Sequence, residues 1–173
     1  MHNGWMGFPS GIVTLLFTDI EGGIGLWEAD PKAMAEVSAR HSRIVCEQIE
    51  GAGGQVYKTA GEAFRAVFVD PGAALASAVA LQRALGAERW PPGLPVRVRM
   101  ALHTGVCVGP EGDYFGPVVN RAARLLAVGR GGQVLVSGAM HELLANRLSG
   151  GVGLRDLSEH RLQDLGRAER VSR

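Results

Sequence analysis

Cysteine is almost missing from this chain, with two residues, Cys46 and Cys107, among 173. Both stand in apolar surroundings, so they predict buried thiols in a reducing compartment and exclude a disulfide framework. Neither sign of charge predominates. The net charge is +1, which leaves no electrostatic footprint for nucleic acid. Basic residues thicken from Arg155 to Arg173 with acidic ones interleaved, the pattern of a solvated surface. No apolar run approaches the length of a membrane span, and no basic-then-apolar signal peptide opens the chain. The expectation is a cytoplasmic protein without membrane or nucleic-acid partners. Several catalytic signatures are also missing. Gly129-Arg130-Gly131-Gly132 lacks the Gly-Lys-Ser/Thr ending of a phosphate loop, and no nucleophile elbow is present. His41 with Cys46, and His103 with Cys107, do not make a metal-ligand set and are expected to pack in the core or on a sheet face.

What is present suits one domain with a core of its own, since 46% of the residues are hydrophobic. Residues 1–10 are Gly-rich and patternless and are expected to form a loose tail, with the domain running from 11 to 173. Ile12-Val13-Thr14-Leu15-Leu16-Phe17 reads as a central strand buried on both faces. Asp30-Pro31 caps a helix whose apolar stripe is Met34, Val37, His41, Ile44, Val45 and Ile49, ended by Gly51, Gly53 and Gly54. Gln55 to Thr59 and Phe64 to Val69 read as a hairpin with an acidic tip, and Pro71 opens a second helix. Val96 to Thr104 alternates as a strand, Gly105 to Gly116 reads as a Gly-rich turn or arm, and Pro117 starts a helix to about Val128. A strand at Gln133 to Val136 and a helix from Ala139 to Leu148 follow, then weak strands near Val152 to Leu157 and Arg161 to Leu165. There is no repeat and no linker. This order predicts an α+β fold on the ferredoxin-like βαββαβ plan, with a mainly antiparallel sheet and extra C-terminal elements.

Two carboxylates carry the chemistry. Asp19 lies in Phe17-Thr18-Asp19-Ile20-Glu21-Gly22 and Glu62 in Lys58-Thr59-Ala60-Gly61-Glu62-Ala63-Phe64. Each sits at a strand edge beside glycine, and two such carboxylates suit a shared Mg²⁺ or Mn²⁺ site handling phosphates. Asn120 and Arg124 are one helical turn apart on a single face, a pairing that can grip a ribose and a phosphate.

These segments, with Arg97 to Gly105, Gly112 to Arg124 and Leu157 to Leu165, resemble class III nucleotide cyclase catalytic domains of the bacterial, mycobacterial type. The resemblance runs from Gly11 to about Val171 and rests on several motifs in order. It implies a lyase that makes cyclic AMP and pyrophosphate from ATP, using two Mg²⁺ or Mn²⁺ ions in signal transduction. Asp19, the Ile20 carbonyl and Glu62 would hold the metal. Lys58 and Asp113 would read the purine, favouring ATP over GTP. Asn120 would orient the ribose, Arg124 would stabilise transition-state charge, and Arg161 would help with the triphosphate. In this family one subunit supplies the metal carboxylates and the other the purine readers, Asn and Arg. The resemblance therefore implies a homodimer with composite sites.

Three departures from the family pattern bear on activity. Glu62 stands where the family has Asp, and its extra methylene moves the carboxylate by about 1.5 Å at full extension, against a catalytic tolerance of about 0.5 Å. Ala63 occupies a position usually held by glycine or another residue suited to the hairpin, which would reshape the tip. Gly23-Ile24-Gly25 replaces a stretch that usually carries Ser or Phe followed by Thr, and reads as a floppy loop. These departures imply reduced activity. They also support an alternative: a degenerate cyclase-homology domain that binds nucleotide or dimerises to regulate a partner protein or domain. A polymerase-palm or diguanylate-cyclase relationship is disfavoured, because Ala60-Gly61-Glu62-Ala63-Phe64 is not a Gly-Gly-Asp/Glu-Glu-Phe hairpin.

Overall fold

The apolar run near the start of the chain becomes the centre of a sheet. The computed structural model describes residues 7–107, 113–148, 152–160 and 169–172. Strand β1 (Gly11–Ile20) is followed by two helices, α1 (Gly23–Ala29) and α2 (Pro31–Gly51). The hairpin β2 (Gln55–Ala60) and β3 (Ala63–Phe68) leads into α3 (Pro71–Ala87) and β4 (Val98–Cys107). Then come α4 (Pro117–Val128), β5 (Val134–Ser137), α5 (Gly138–Leu144), β6 (Asp156–His160) and β7 (Glu169–Ser172). The seven strands lie in the order β2-β3-β1-β4-β5-β7-β6. All neighbours are antiparallel except β4 and β5, which α4 joins as a parallel crossover. The first four strands in space reproduce the expected ferredoxin-like plan, and the fold class is α+β.

Alternation along β1 divides the core. Val13, Leu15 and Phe17 point to one face and pack with Val119 and Ala122 of α4. Leu16 and Ile20 point to the other, where α2 and α3 supply Met34, Val37, Ile49, Ala78 and Leu81. The strand is buried on both faces from Val13 to Thr18, whereas Ile12 is 71% exposed. Helix α2 starts as its sequence requires: the Asp30 carboxylate accepts from the Ala33 amide at 3.0 Å, and Pro31 takes the first helical position. Its buried side is the expected stripe of Met34, Val37, His41, Ile44, Val45 and Ile49. Asp70 caps α3 in the same way, accepting from Gly72 at 3.1 Å.

Several boundaries differ from the sequence reading. Gly23-Ile24-Gly25 is not a loop but the first turn of α1. Glycine costs about 1 kcal/mol per helical position, but tertiary packing overrides so weak a preference. Leu26 and Trp27 pack against the main core and hold the turn. Strand β4 starts two residues later than expected and ends three later, at Cys107, so Gly105 lies in the sheet. Helix α5 ends at Leu144 rather than Leu148. Phe8 packs edge-on against Tyr57 and Tyr114, and the Tyr114 hydroxyl donates to the Pro9 carbonyl at 2.6 Å. Among the described residues, no helix is long and apolar enough to cross a membrane.

Candidate active site

Asp19 is the next residue after Phe17 on the α4 side of β1, placed by the period-2 alternation of the strand. The β1–β4 register sets it opposite Arg99, whose fork donates to both carboxylate oxygens: Nε to Oδ1 at 2.5 Å and Nη2 to Oδ2 at 2.9 Å. The hydrogen bond to Asp19 raises the Arg99 pKa above its ordinary value. Partial burial works against it, while the Asp19 and Glu21 charges add to it. Arg99 escaped the sequence reading, because in an alternating strand a polar residue ordinarily faces solvent. Its signal was positional: pairing β1 with β4 in the antiparallel sense brings Asp19 and Arg99 together.

Glu62 occupies the tip of the β2–β3 hairpin beside Gly61, whose φ of 58 closes the tight turn. Its Oε1 accepts from the Trp27 indole Nε1 at 2.9 Å and from the Ser38 hydroxyl at 3.2 Å. Neither donor was singled out in the sequence. Asp19, Ile20, Glu62 and Arg99 line one cleft of ≈ 310 Å³ together with Gly22, Gly23 and Ile24. Ile20 buries its side chain in the main core, so main-chain atoms are what it offers the cleft. A second hollow of ≈ 210 Å³ adjoins it, sharing Asp19, Ala63 and Arg99 and reaching Arg65, Ala123 and Ala127.

Among the described residues no three His, Cys, Asp or Glu side chains gather into a metal cluster. The candidate donors are therefore two carboxylates and a main-chain carbonyl. Such hard oxygens fit Mg²⁺ or Mn²⁺, with water or substrate completing the coordination. One oxygen of Glu62 is engaged by Trp27 and Ser38, and both oxygens of Asp19 are engaged by Arg99. A cation bound there competes with Arg99.

Lys58 and Asp113 are brought together elsewhere. Lys58 lies on β2 and Asp113 precedes α4, and Lys58 Nζ donates to Asp113 Oδ2 at 3.2 Å. Desolvation tends to raise the Asp113 pKa. Hydrogen bonds from Lys58 and the Tyr114 amide, with the Lys58 and Arg65 charges, outweigh it and hold the carboxyl below its ordinary value. Tyr57 and Tyr114 stack edge-on at 4.7 Å beneath this pair. On α4, Val119, Ala122 and Leu125 face inward, whereas Asn120 is exposed and Arg124 half-buried. None of Lys58, Asp113, Asn120 and Arg124 lines the Asp19–Glu62 cleft. Arg161 lies outside the described residues.

His41 and His103 are buried, as the sequence leads one to expect. Burial pushes the His41 imidazole down to about 4, against an opposing pull from Glu62, and its ring packs edge-on against Phe64 at 5.6 Å. His103 is likewise pushed to about 4 by burial, with Arg121 adding, and its Nδ1 lies 2.7 Å from the Ser137 hydroxyl.

A carboxylate pair at the end of a ferredoxin-like sheet is shared by unrelated activities, so comparison with known proteins decides the family. The profile of the adenylate and guanylate cyclase catalytic domain matches residues 8–169. The chain belongs to this family. An uncharacterized protein of Mycobacterium tuberculosis is 39% identical over 165 residues, covering 94% of this chain and 55% of its own length. The chain thus spans about half the length of that curated relative. An adenylate cyclase of Lachancea kluyveri is 36% identical over 155 residues, which cover 75% of this chain and 8% of that protein. Among solved structures, an adenylate cyclase of Trypanosoma brucei in its monomeric state superposes with a TM-score of 0.86 at 28% identity, covering 96% of this chain and 92% of that one. An adenylate/guanylate cyclase/hydrolase from Silicibacter pomeroyi gives 0.84 at 29% identity, with 95% and 96% covered. The cyclase fold thus extends over nearly all of the chain.

Proposed function

We propose that this cyclase domain converts ATP to 3′,5′-cyclic AMP and pyrophosphate at composite sites between two copies of the chain. The observation that supports this most is the separation of the candidate residues into two groups. Asp19, Ile20, Glu62 and Arg99 line one cleft, while Lys58, Asp113, Asn120 and Arg124 lie outside it. Each group is half of a site, and a two-fold dimer brings the halves of different copies face to face twice.

Asp19, the Ile20 carbonyl and Glu62 would hold the divalent cations. Bound Mg²⁺ or Mn²⁺ supplies Lewis acidity and neutralises phosphate charge. Arg99 faces the same cleft and can transfer its fork from Asp19 to a phosphate, whose geometry it matches. From the other copy, Lys58 donates to adenine N1 and Asp113 accepts from the 6-amino group. Guanine carries a donor at N1 and an acceptor at position 6, so the same pair repels it. Asn120 orients the ribose so that its 3′-oxygen attacks the α-phosphorus in line with the departing pyrophosphate oxygen. Arg124 stabilises the charge that builds on the phosphoryl oxygens. Arg161 is assigned to the triphosphate by the family resemblance alone.

The length of Glu62, Ala63 beside it and the exposed Ile24 at the cleft mouth favour turnover below that of a site built with aspartate. The same features favour a second reading, a nucleotide-binding or dimerising regulatory module without turnover. Mixing Asp19→Asn with Asn120→Ala separates the readings. Each variant alone is inactive, and random pairing restores about a quarter of the wild-type rate, because half the dimers carry one intact site. Wild-type chain that makes no cyclic AMP with Mn²⁺ and ATP, yet retains an ATP analogue, would establish the regulatory module instead.

A further inference from the structure

Glu62 belongs to a hairpin tip, yet its partners come from the two helices that connect β1 to β2. Trp27 sits on α1, where its indole packs against the main core and its Nε1–H points at Glu62 Oε1, 2.9 Å away. Ser38 sits on α2, one residue from the buried Val37, and its hydroxyl reaches the same oxygen at 3.2 Å. Both donors converge on Oε1. The other oxygen, Oε2, turns toward the start of α1, lying 3.6 Å from where a Cβ on Gly23 would stand. Gly23 and Glu62 both line the cleft that holds Asp19.

A glutamate at a loop tip normally samples many rotamers, and fixing one costs up to about 2 kcal/mol of side-chain entropy. Charge-assisted hydrogen bonds from two donors on packed helices offset that cost and select one arrangement. The extra methylene of Glu62 is what lets the carboxylate reach Trp27 and Ser38 while its second oxygen still faces the cleft. An aspartate in the same turn is shorter and loses that reach.

We infer that Trp27 and Ser38 are positioning residues for Glu62: they anchor Oε1 so that Oε2 is the single oxygen presented to a divalent cation opposite Asp19. This rests on reading the cleft as a metal–nucleotide site. It also makes the Trp27 indole N–H a reporter of that site, because any charge drawn onto Oε2 weakens the bond at Oε1.

The test uses the whole chain and Mg²⁺ or Mn²⁺ alone, without turnover. The Trp27 indole N–H resonance, identified by its loss in Trp27→Phe, shifts on Mg²⁺ titration in the wild type and stays still in Asp19→Asn. Mn²⁺ affinity followed by paramagnetic resonance falls about tenfold in Trp27→Phe and in Ser38→Ala, the lower end of the scale of one charge-assisted hydrogen bond. Ser38→Thr, which keeps the hydroxyl, restores it. Unchanged Mn²⁺ affinity in both variants, or an indole resonance that ignores bound Mg²⁺, overturns the positioning role while leaving the metal site standing. Wild-type chain that binds neither ion overturns both the positioning role and the reading of the cleft.

Discussion

Arg99 and Asp19 face one another across β1 and β4, and the guanidinium fork closes on both carboxylate oxygens. The first candidate metal ligand is therefore already neutralised by a cation of the same chain. Metal binding and the Arg99 contact are alternatives. Arg99→Gln removes the competitor, and Mn²⁺ should bind about fivefold more tightly, the worth of a partly exposed ion pair of about 1 kcal/mol. Cyclic AMP production should fall in the same variant, because a phosphate-matching cation has left the cleft. Titration of Mn²⁺ beside a turnover assay checks both directions, and a weaker Mn²⁺ affinity counts against the competition.

On the proposed reading, Lys58 is the donor that adenine N1 requires and guanine N1–H rejects. Lys58→Ala should lower the ratio of ATP to GTP turnover about tenfold or more, the usual cost of one specific hydrogen bond in a recognition site. Lys58 is 47% exposed, so its pair with Asp113 adds little to stability and the melting temperature should not move. Competition between the two nucleotides, with a melting curve on the same sample, makes the check.

Gly105 lies in β4 directly beneath α4, where an added Cβ would come 2.7 Å from Val118 Cγ2 and 3.1 Å from Cγ1. Valine is stiff at χ1, so the helix itself must give way. Gly105→Ala should destabilise the domain by about 1–3 kcal/mol, an overpacking cost. It should also depress turnover, because Asn120 and Arg124 ride on the displaced helix. Urea unfolding and a turnover assay would show a neutral outcome if α4 is loosely seated.

The two buried histidines set a pH dependence. Their folded-state values near 4 lie below the ordinary 6.5, because burial disfavours the charged ring. Between pH 6.5 and 4 the unfolded chain takes up protons that the folded chain refuses, so stability is greatest above that window and declines as pH falls through it. The limit for each ring is on the order of 3 kcal/mol. Both His41 nitrogens are buried with no hydrogen-bond partner among the described residues, so His41→Leu should cost little at pH 7 and flatten the slope. Urea midpoints at pH 7 and pH 5 measure the difference.

Much of this architecture is legible in the chain. The apolar run before Asp19, the Asp30-Pro31 start of α2 and the glycine at the hairpin tip each have a local physical meaning, and each stands where expected. What escaped depends on tertiary contact. Gly23-Ile24-Gly25 reads as a loop by propensity and is helical because Leu26 and Trp27 pack on the core. Arg99, Trp27 and Ser38 are unremarkable in sequence, and only strand register and helix docking bring them to the carboxylates. The two carboxylates themselves were visible because each breaks an apolar pattern beside glycine.

Lys58 and Asp113 are each other's hydrogen-bond partners. If the two read a base as proposed, then before any nucleotide arrives the donor and the acceptor satisfy each other at 3.2 Å. Admitting a purine means first opening that bond, so a fitting base exchanges one contact for two and gains modestly. A base with the opposite pattern opens the same bond and recovers nothing. The selectivity of such a reader therefore lies in the penalty for a mismatch more than in attraction to the match, and loose occupancy by the right nucleotide is compatible with firm refusal of the wrong one.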